Sequence, residues 1–324
     1  MPELRMTQAI QRALAEALAE DPGVILLGED IGAAGGPFGA TRGLQEKFGP
    51  ERVRDTPISE AGIVGAAVGA ALSGLKPVAE IMFMDFITLA MDALVNQAAK
   101  ARFMFGGEQG APLVLRTPHG GGVSAGPQHS QCLEAWLCHV PGLKVVCPAT
   151  PVDAYGLLKS AIADPDPVVV IENKALYALK GEVGETPEAV PIGRARHVRP
   201  GRDATILAYG AAVGWALTAA DLLADQGVEA EVLDLRSLQP WDEQAVLESL
   251  SRTHHLVIAH EAVEAFGVGA EIAARIAEIG FDDLDGPILR VAAPFLPVPF
   301  ARELEAAYRP DAARIAEAVR RTLA

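Results

Sequence analysis

Apolar residues in this chain fall into two alternating kinds of segment. Short continuous runs, in GVILLGED, PVAEIMF, APLVLRTP, LKVVCPA and DPVVVIE, have the length and β-branched content of strands buried on both faces. Between them, residues 63–72, 89–101 and 151–162 carry apolar positions at helical spacing. Strand and helix taking turns predicts a parallel sheet covered on both sides, an α/β fold. Near the start, MTQAIQRALAEALAEDPG places Ile10, Leu14 and Leu18 on one helical face, while Arg12, Glu16 and Glu20 interrupt any apolar run. That pattern predicts an amphipathic helix rather than a signal peptide. The uncharged stretch 61–75 is shorter than the roughly 20 residues that span a bilayer. It is rich in small residues (Gly62, Ala66, Ala67, Gly69, Ala70, Ala71, Gly74), which predicts a buried, closely packed helix.

The pattern lapses over residues 180–200, where GEVGETPEAVPIG has no sustained apolar period. This predicts a boundary, with one domain over 1–185 and another over 186–324. Beyond it a second, shorter alternating unit is expected: ATILAYG, a helix over 213–225, VEAEVLDLR, a helix over 242–251, then HLVIAHE. Residues 294–299 are Pro-rich and read as an extended surface crossing, and 302–323 return to helical spacing.

Composition narrows the function classes. A chain of 324 residues, half of them apolar, has enough material for two cores. Its net charge of -15 repels phosphate backbones and anionic lipid, so neither nucleic acid nor a membrane surface is an expected partner. Three cysteines, Cys132, Cys138 and Cys147, form no CxxC pair and suit a reducing compartment, which points to the cytoplasm.

Several motifs invite chemistry. GVGAEI and GAAGGPFG resemble dinucleotide loops, but the first lacks the third glycine and the second no apolar helix follows. His129, Cys132, Cys138 and His139 are possible zinc ligands by type, yet their spacing lacks the paired CxxC or HxxxH of structural zinc sites. DTPISEAGIVGAAVGAAL is more informative. Ser59 is positioned as an N-cap, and Glu60 stands at the head of an almost wholly apolar helix. A carboxylate there is favoured by the helix dipole. If the small residues of the helix bring another surface close, desolvation opposes that effect and leaves an acid able to protonate a ring nitrogen. The loop RTPHGGGVSAGPQHSQ has the backbone freedom to approach a ligand, and it ends on His129, a candidate proton carrier.

Taken together, GEDIG, DTPISEAGIVGAAVG, VNQAAKARFMFGG, PQHSQCLEAW, PGLKVVCPATPVDAYGLLKSAI and RSLQPWD resemble the beta subunit of the thiamine diphosphate-dependent 2-oxo acid dehydrogenases, nearly end to end. The resemblance implies a thiamine diphosphate-binding fold, the pyrimidine-binding domain, followed by a transketolase C-terminal-like α/β domain. It implies that Glu60 hydrogen-bonds the cofactor's aminopyrimidine ring and that Ile58, Met82 and Phe86 pack around it. His129 is then expected near the reacting carbon, exchanging protons and assisting acyl transfer to lipoamide. A structural potassium ion is implied at Leu113, Ala161, Ile162, Asp164 and Asp166, where Asp166 replaces an Asn of some relatives and offers an extra carboxylate. The family's GDG-and-Asn motif for magnesium diphosphate does not occur in this chain. An alpha subunit is therefore expected to hold magnesium and the diphosphate, in an α2β2 heterotetramer that serves a lipoyl acyltransferase core. QHSQCLEAW leans toward pyruvate as substrate, with branched-chain 2-oxo acids and acetoin as alternatives. A split transketolase subunit and a noncatalytic assembly module are the remaining readings.

Overall fold

The computed structural model describes residues 3–324. They form two compact units: His119 and the residues before it with Trp136–Ile192, and Gly120–Ala135 with Gly193–Ala324.

In the first unit, strand β1 (Glu3–Arg5) leads into helix α1 (Met6–Glu20). β2 (Val24–Gly28), α2 (Leu44–Phe48), β3 (Val53–Asp55), α3 (Glu60–Leu72) and β4 (Lys76–Glu80) follow. A broken helical stretch comes next, of which α4 (Ile87–Met91) and α5 (Ala101–Met104) are the α-helical pieces. β5 (Val114–His119) leads out of the unit, and the chain returns within the short helix α6 (Glu134–Cys138). β6 (Lys144–Val146), α7 (Pro151–Ala163), β7 (Val168–Asn173) and β8 (Lys180–Glu182) complete it. The sheet is parallel in the order β6-β7-β5-β4-β2-β3, and β8 pairs separately with β1. Each apolar run named above supplies one of its strands. β3 was not expected, because three residues with Arg54 among them carry too little apolar signal.

Helices α1 and α7 pack together over the sheet, with Ile10, Leu14, Leu157 and Leu158 buried among them. Each such side chain contributes about 1.5–3 kcal/mol by leaving water. Helix α3 departs from expectation. Ile63, Val64, Ala67, Val68 and Ala71 are buried, whereas Ala61, Gly62, Gly65, Ala66 and Gly69 are exposed. Only one face of the helix lies on the sheet, and the small residues make up the other.

The units divide at Ile192 rather than at Glu185. The intervening residues stay with the first unit because Val190 donates its N–H to Gly156 O at 3.0 Å and accepts from Ser160 Oγ at 2.6 Å.

The second unit contains β9 (Arg196–Arg199), β10 (Ala204–Ala208), α8 (Ala212–Ala224), β11 (Ala230–Asp234), β12 (Ser237–Gln239) and α9 (Glu243–Thr253). β13 (Leu256–Val263), α10 (Val268–Ile279), β14 (Leu289–Ala293), α11 (Arg302–Tyr308) and α12 (Ala312–Thr322) follow. Its sheet runs β14-β13-β10-β11-β9, parallel except for β9 at one edge. The helical spacing over 302–323 resolves into two helices, since Pro310 cannot continue the first. Among the described residues, no helix is long and apolar enough to cross a membrane.

Candidate functional site

In a parallel α/β sheet, ligands bind beyond the carboxyl ends of the strands. In the first unit those ends carry the motifs singled out from the sequence. GEDIG leaves β2 at Gly28, and DTPISE follows from the end of β3. The two are joined: Gly32 N–H donates to Asp55 Oδ1 at 2.7 Å, and Thr56 N–H donates to Gly28 O at 3.0 Å. A Cβ on Gly32 would lie 2.3 Å from Asp55 Oδ2, so a larger residue would have to push the Asp55 carboxylate aside.

Glu60 is the first residue of α3 and is 6% exposed. Ser59 occupies the N-cap position, but its side chain makes no capping hydrogen bond, so it does not contribute the cap expected of it. Beside this buried acid, Ile58 projects with 84% of its surface exposed, far from the packed state usual for isoleucine. Glu29, from GEDIG, is 8% exposed, and among the described residues its Oε1 is buried without a hydrogen-bond partner. Burial and, second to it, the Glu60 charge push the Glu29 carboxyl above the usual range. The structure thus brings two acids into one electrostatic neighbourhood. Glu29 is not among the residues expected at the site from the sequence; its available signal there is an acid placed directly after a wholly apolar strand.

Met82 and Phe86, just beyond β4, are half-buried. Phe86 meets Phe83 edge-on at 5.8 Å, and Phe83 meets Phe38 in the same manner at 5.9 Å. This makes a row of aromatic rings at the strand ends, suited to a flat apolar ligand. Under it, Arg116 on β5 grips Glu172 on β7 through two hydrogen bonds of 2.8 Å and Glu80 on β4 through one of 2.6 Å. The triad ties three neighbouring strands together beneath the site. A buried carboxylate at a helix start, apolar walls and a second buried acid are a set of groups that fits an aminopyrimidine.

His129 is half-buried on the loop Gly120–Ala135, which belongs to the second unit. Its N–H donates to Gly126 O at 3.3 Å.

The residues expected to hold potassium gather where α7 ends against β5 and β7. Their carboxylates do not fit the role. Both oxygens of Asp164 accept from Lys144 Nζ at 2.7 Å, and Asp166 accepts from Arg102 Nε at 2.5 Å. One oxygen of the extra carboxylate expected at Asp166 is therefore engaged by a guanidinium, and the other lies 3.9 Å from Lys144 Nζ.

Residues 2–180 match the family model of the transketolase pyrimidine binding domain, and residues 193–315 match that of the transketolase C-terminal domain. The chain is 45% identical to the pyruvate dehydrogenase E1 component subunit beta-2, mitochondrial, of Oryza sativa subsp. japonica, over 98% of this chain and 86% of that protein. It is 47% identical to the acetoin:2,6-dichlorophenolindophenol oxidoreductase subunit beta of Bacillus subtilis (strain 168), over 96% and 95%. Its fold is similar to that of a split gene transketolase described as an inactive beta4 tetramer, with a TM-score of 0.81, 24% identity and coverage of 99% and 98%. Carrying both transketolase domains in order and matching these relatives along almost its whole length, the chain belongs to the family of pyruvate dehydrogenase E1 and acetoin dehydrogenase beta subunits.

Proposed function

We propose that this chain is the beta half of a thiamine diphosphate-dependent 2-oxo acid dehydrogenase, of the pyruvate type, that transfers an acetyl group to lipoamide. The observation that carries the reading is Glu60, a buried carboxylate heading α3 and next in sequence but one to an exposed isoleucine, in the unit whose strand ends also carry a row of aromatic rings. Bound thiamine diphosphate supplies an electron-accepting thiazolium ring, which takes up the electron pair released when a 2-oxo acid loses carbon dioxide. Glu60 holds a proton at the pyrimidine ring nitrogen and so fixes the tautomer, while Ile58, Met82 and Phe86 orient the ring and exclude water. His129 exchanges protons with the substrate.

The exposed face of α3 supports dependence on a partner subunit. Glycine in a helix interior costs about 1 kcal/mol relative to alanine. Among the described residues, nothing lies within 4 Å of a Cβ added at Gly65 or Gly69, so the packing described gives no reason for these glycines. Close approach by a second polypeptide does. We assign that polypeptide as an alpha subunit that holds magnesium and the diphosphate in an α2β2 heterotetramer, attached in turn to a lipoyl acyltransferase core. A structural potassium ion would be held by oxygens of Leu113, Ala161, Ile162, Asp164 and Asp166, at the C-terminal end of α7 where the helix dipole favours a cation. The free cysteines and acidic charge suit the cytoplasm.

Acetoin is the second reading, favoured by relatives of that activity at 47% identity. Turnover of pyruvate, branched-chain 2-oxo acids and acetoin by the complex with its alpha subunit separates these substrates. Mechanism is tested by Glu60→Gln in the same complex. Exchange of the cofactor's thiazolium proton, followed by NMR, should slow by at least about 100-fold while assembly is retained. Wild-type exchange would overturn the assignment.

A further inference from the structure

The loop that carries His129 is fastened to its own compact unit by buried carboxylates. Gly121 N–H donates to Glu261 Oε1 at 2.8 Å, and Ser124 N–H donates to Glu305 Oε2 at 3.0 Å. Glu261, on β13, also accepts from Arg309 Nε at 2.7 Å, and the Arg309 guanidinium lies over the Trp215 ring at 5.0 Å. Glu261 therefore has its charge compensated. Glu305, on the short helix α11, is only 3% exposed, and among the described residues its Oε1 is buried with no hydrogen-bond partner. Taking a carboxylate out of water is costly unless other groups satisfy it. A residue serving only to fill this space would be apolar. What the carboxylate gains is the Ser124 amide.

The loop is shaped to offer that amide. Ser124 adopts a φ of 56°, a left-handed conformation that side chains other than glycine rarely take. Gly121 leaves room for the acid, since a Cβ there would stand 3.0 Å from Glu305 Oε1. Gly126, with a φ of 78°, lies so close to the Phe300 ring that a Cβ would be 2.1 Å from it. The far end of the loop is held as well. Glu134, fully buried, accepts from Tyr209 OH at 2.9 Å, and the Tyr209 ring stacks on buried His260 at 5.8 Å. His129 lies midway between Ser124 and Glu134.

We infer that Glu305 is a positioning residue: its carboxylate fixes the Gly121–Ser124 turn and thereby the placement of His129. The inference rests on the proton-carrying role proposed above for His129, but the fastening itself is measurable without it.

The test uses the complex with its alpha subunit and the variants Glu305→Leu, Glu305→Gln, Gly121→Ala and His129→Gln. Hydrogen–deuterium exchange reads the loop amides, and steady-state kinetics reads turnover. Glu305→Leu should speed exchange at the Ser124 amide by about 10-fold or more, because that amide loses its acceptor, while the Gly121 amide keeps Glu261. It should lower kcat by about 10- to 100-fold with KM within about 3-fold, as expected when a reacting group is misplaced rather than removed. Glu305→Gln keeps an acceptor oxygen and should restore most of both. Should Glu305→Leu fail to fold, Gly121→Ala displaces the same carboxylate and should reproduce the faster exchange and lower kcat. Unchanged loop exchange in Glu305→Leu or Gly121→Ala overturns the fastening. Faster exchange with wild-type kcat overturns the link to catalysis. Wild-type turnover by His129→Gln would instead sink the role of the histidine, and loop exchange alone would then decide what Glu305 does.

Discussion

Glu29 and Glu60 share one buried neighbourhood, and the cost of that pairing falls on Glu29: burial first, and the Glu60 charge second, raise its carboxyl above the ordinary value of 4.5. A raised carboxyl pKa means that the folded chain holds this proton more tightly than the unfolded chain does. Its contribution to stability is complete below the unfolded value and is lost as pH rises through the folded one. Glu29→Gln, neutral throughout, should therefore raise the Tm of the isolated chain at about pH 8, and the gain should shrink to nothing toward about pH 4. Differential scanning calorimetry across that range checks it; a gain independent of pH would contradict the account.

Arg116 is enclosed with Glu80 and Glu172, and burial raises the Glu80 carboxyl despite its contact with the guanidinium. Removing the cation leaves two buried acids without compensation. Arg116→Met is expected to destabilise the chain by about 3–5 kcal/mol, read from urea unfolding midpoints. A loss below about 1 kcal/mol would mean that the triad is not what joins β4, β5 and β7.

The small-residue face of α3 separates folding from assembly. Gly65→Ala should leave the fold intact and stabilise the isolated chain by up to about 1 kcal/mol. Gly69→Leu should also fold, because position 69 is exposed and no described residue lies within 4 Å of an added Cβ, yet it should fail to co-purify with the alpha subunit. Normal co-assembly of Gly69→Leu on size-exclusion chromatography would rule this face out as the contact.

Potassium is expected to stabilise the chain through carbonyl oxygens alone. At constant ionic strength, replacing choline with potassium at about 100 times its dissociation constant should add about 2.7 kcal/mol. Asp166→Asn, which breaks the ion pair with Arg102, should leave the half-saturating potassium concentration unchanged within about 3-fold. A thermal shift titration reads both, and a midpoint moved by about 10-fold would make the Asp166 carboxylate a ligand after all.

Much of this architecture is dictated locally and was legible along the chain. The buried strands are continuous apolar runs because a parallel sheet is dry on both faces, and α1 and α7 announce themselves through the spacing of residues such as Leu14 and Leu158. Glu60 is conspicuous because an acid heading an apolar helix conflicts with its surroundings. Distance along the chain hides the rest. Nothing near Glu29 in sequence says that its neighbour is Glu60, and nothing near Ser124 says that its amide meets Glu305. The carboxylates of Asp164 and Asp166 look like cation ligands until folding places Lys144 and Arg102 against them. Periodicity reports which face of an element avoids water. Which charges meet, and which amide finds which acceptor, is decided only when strands and loops far apart in sequence close on one another.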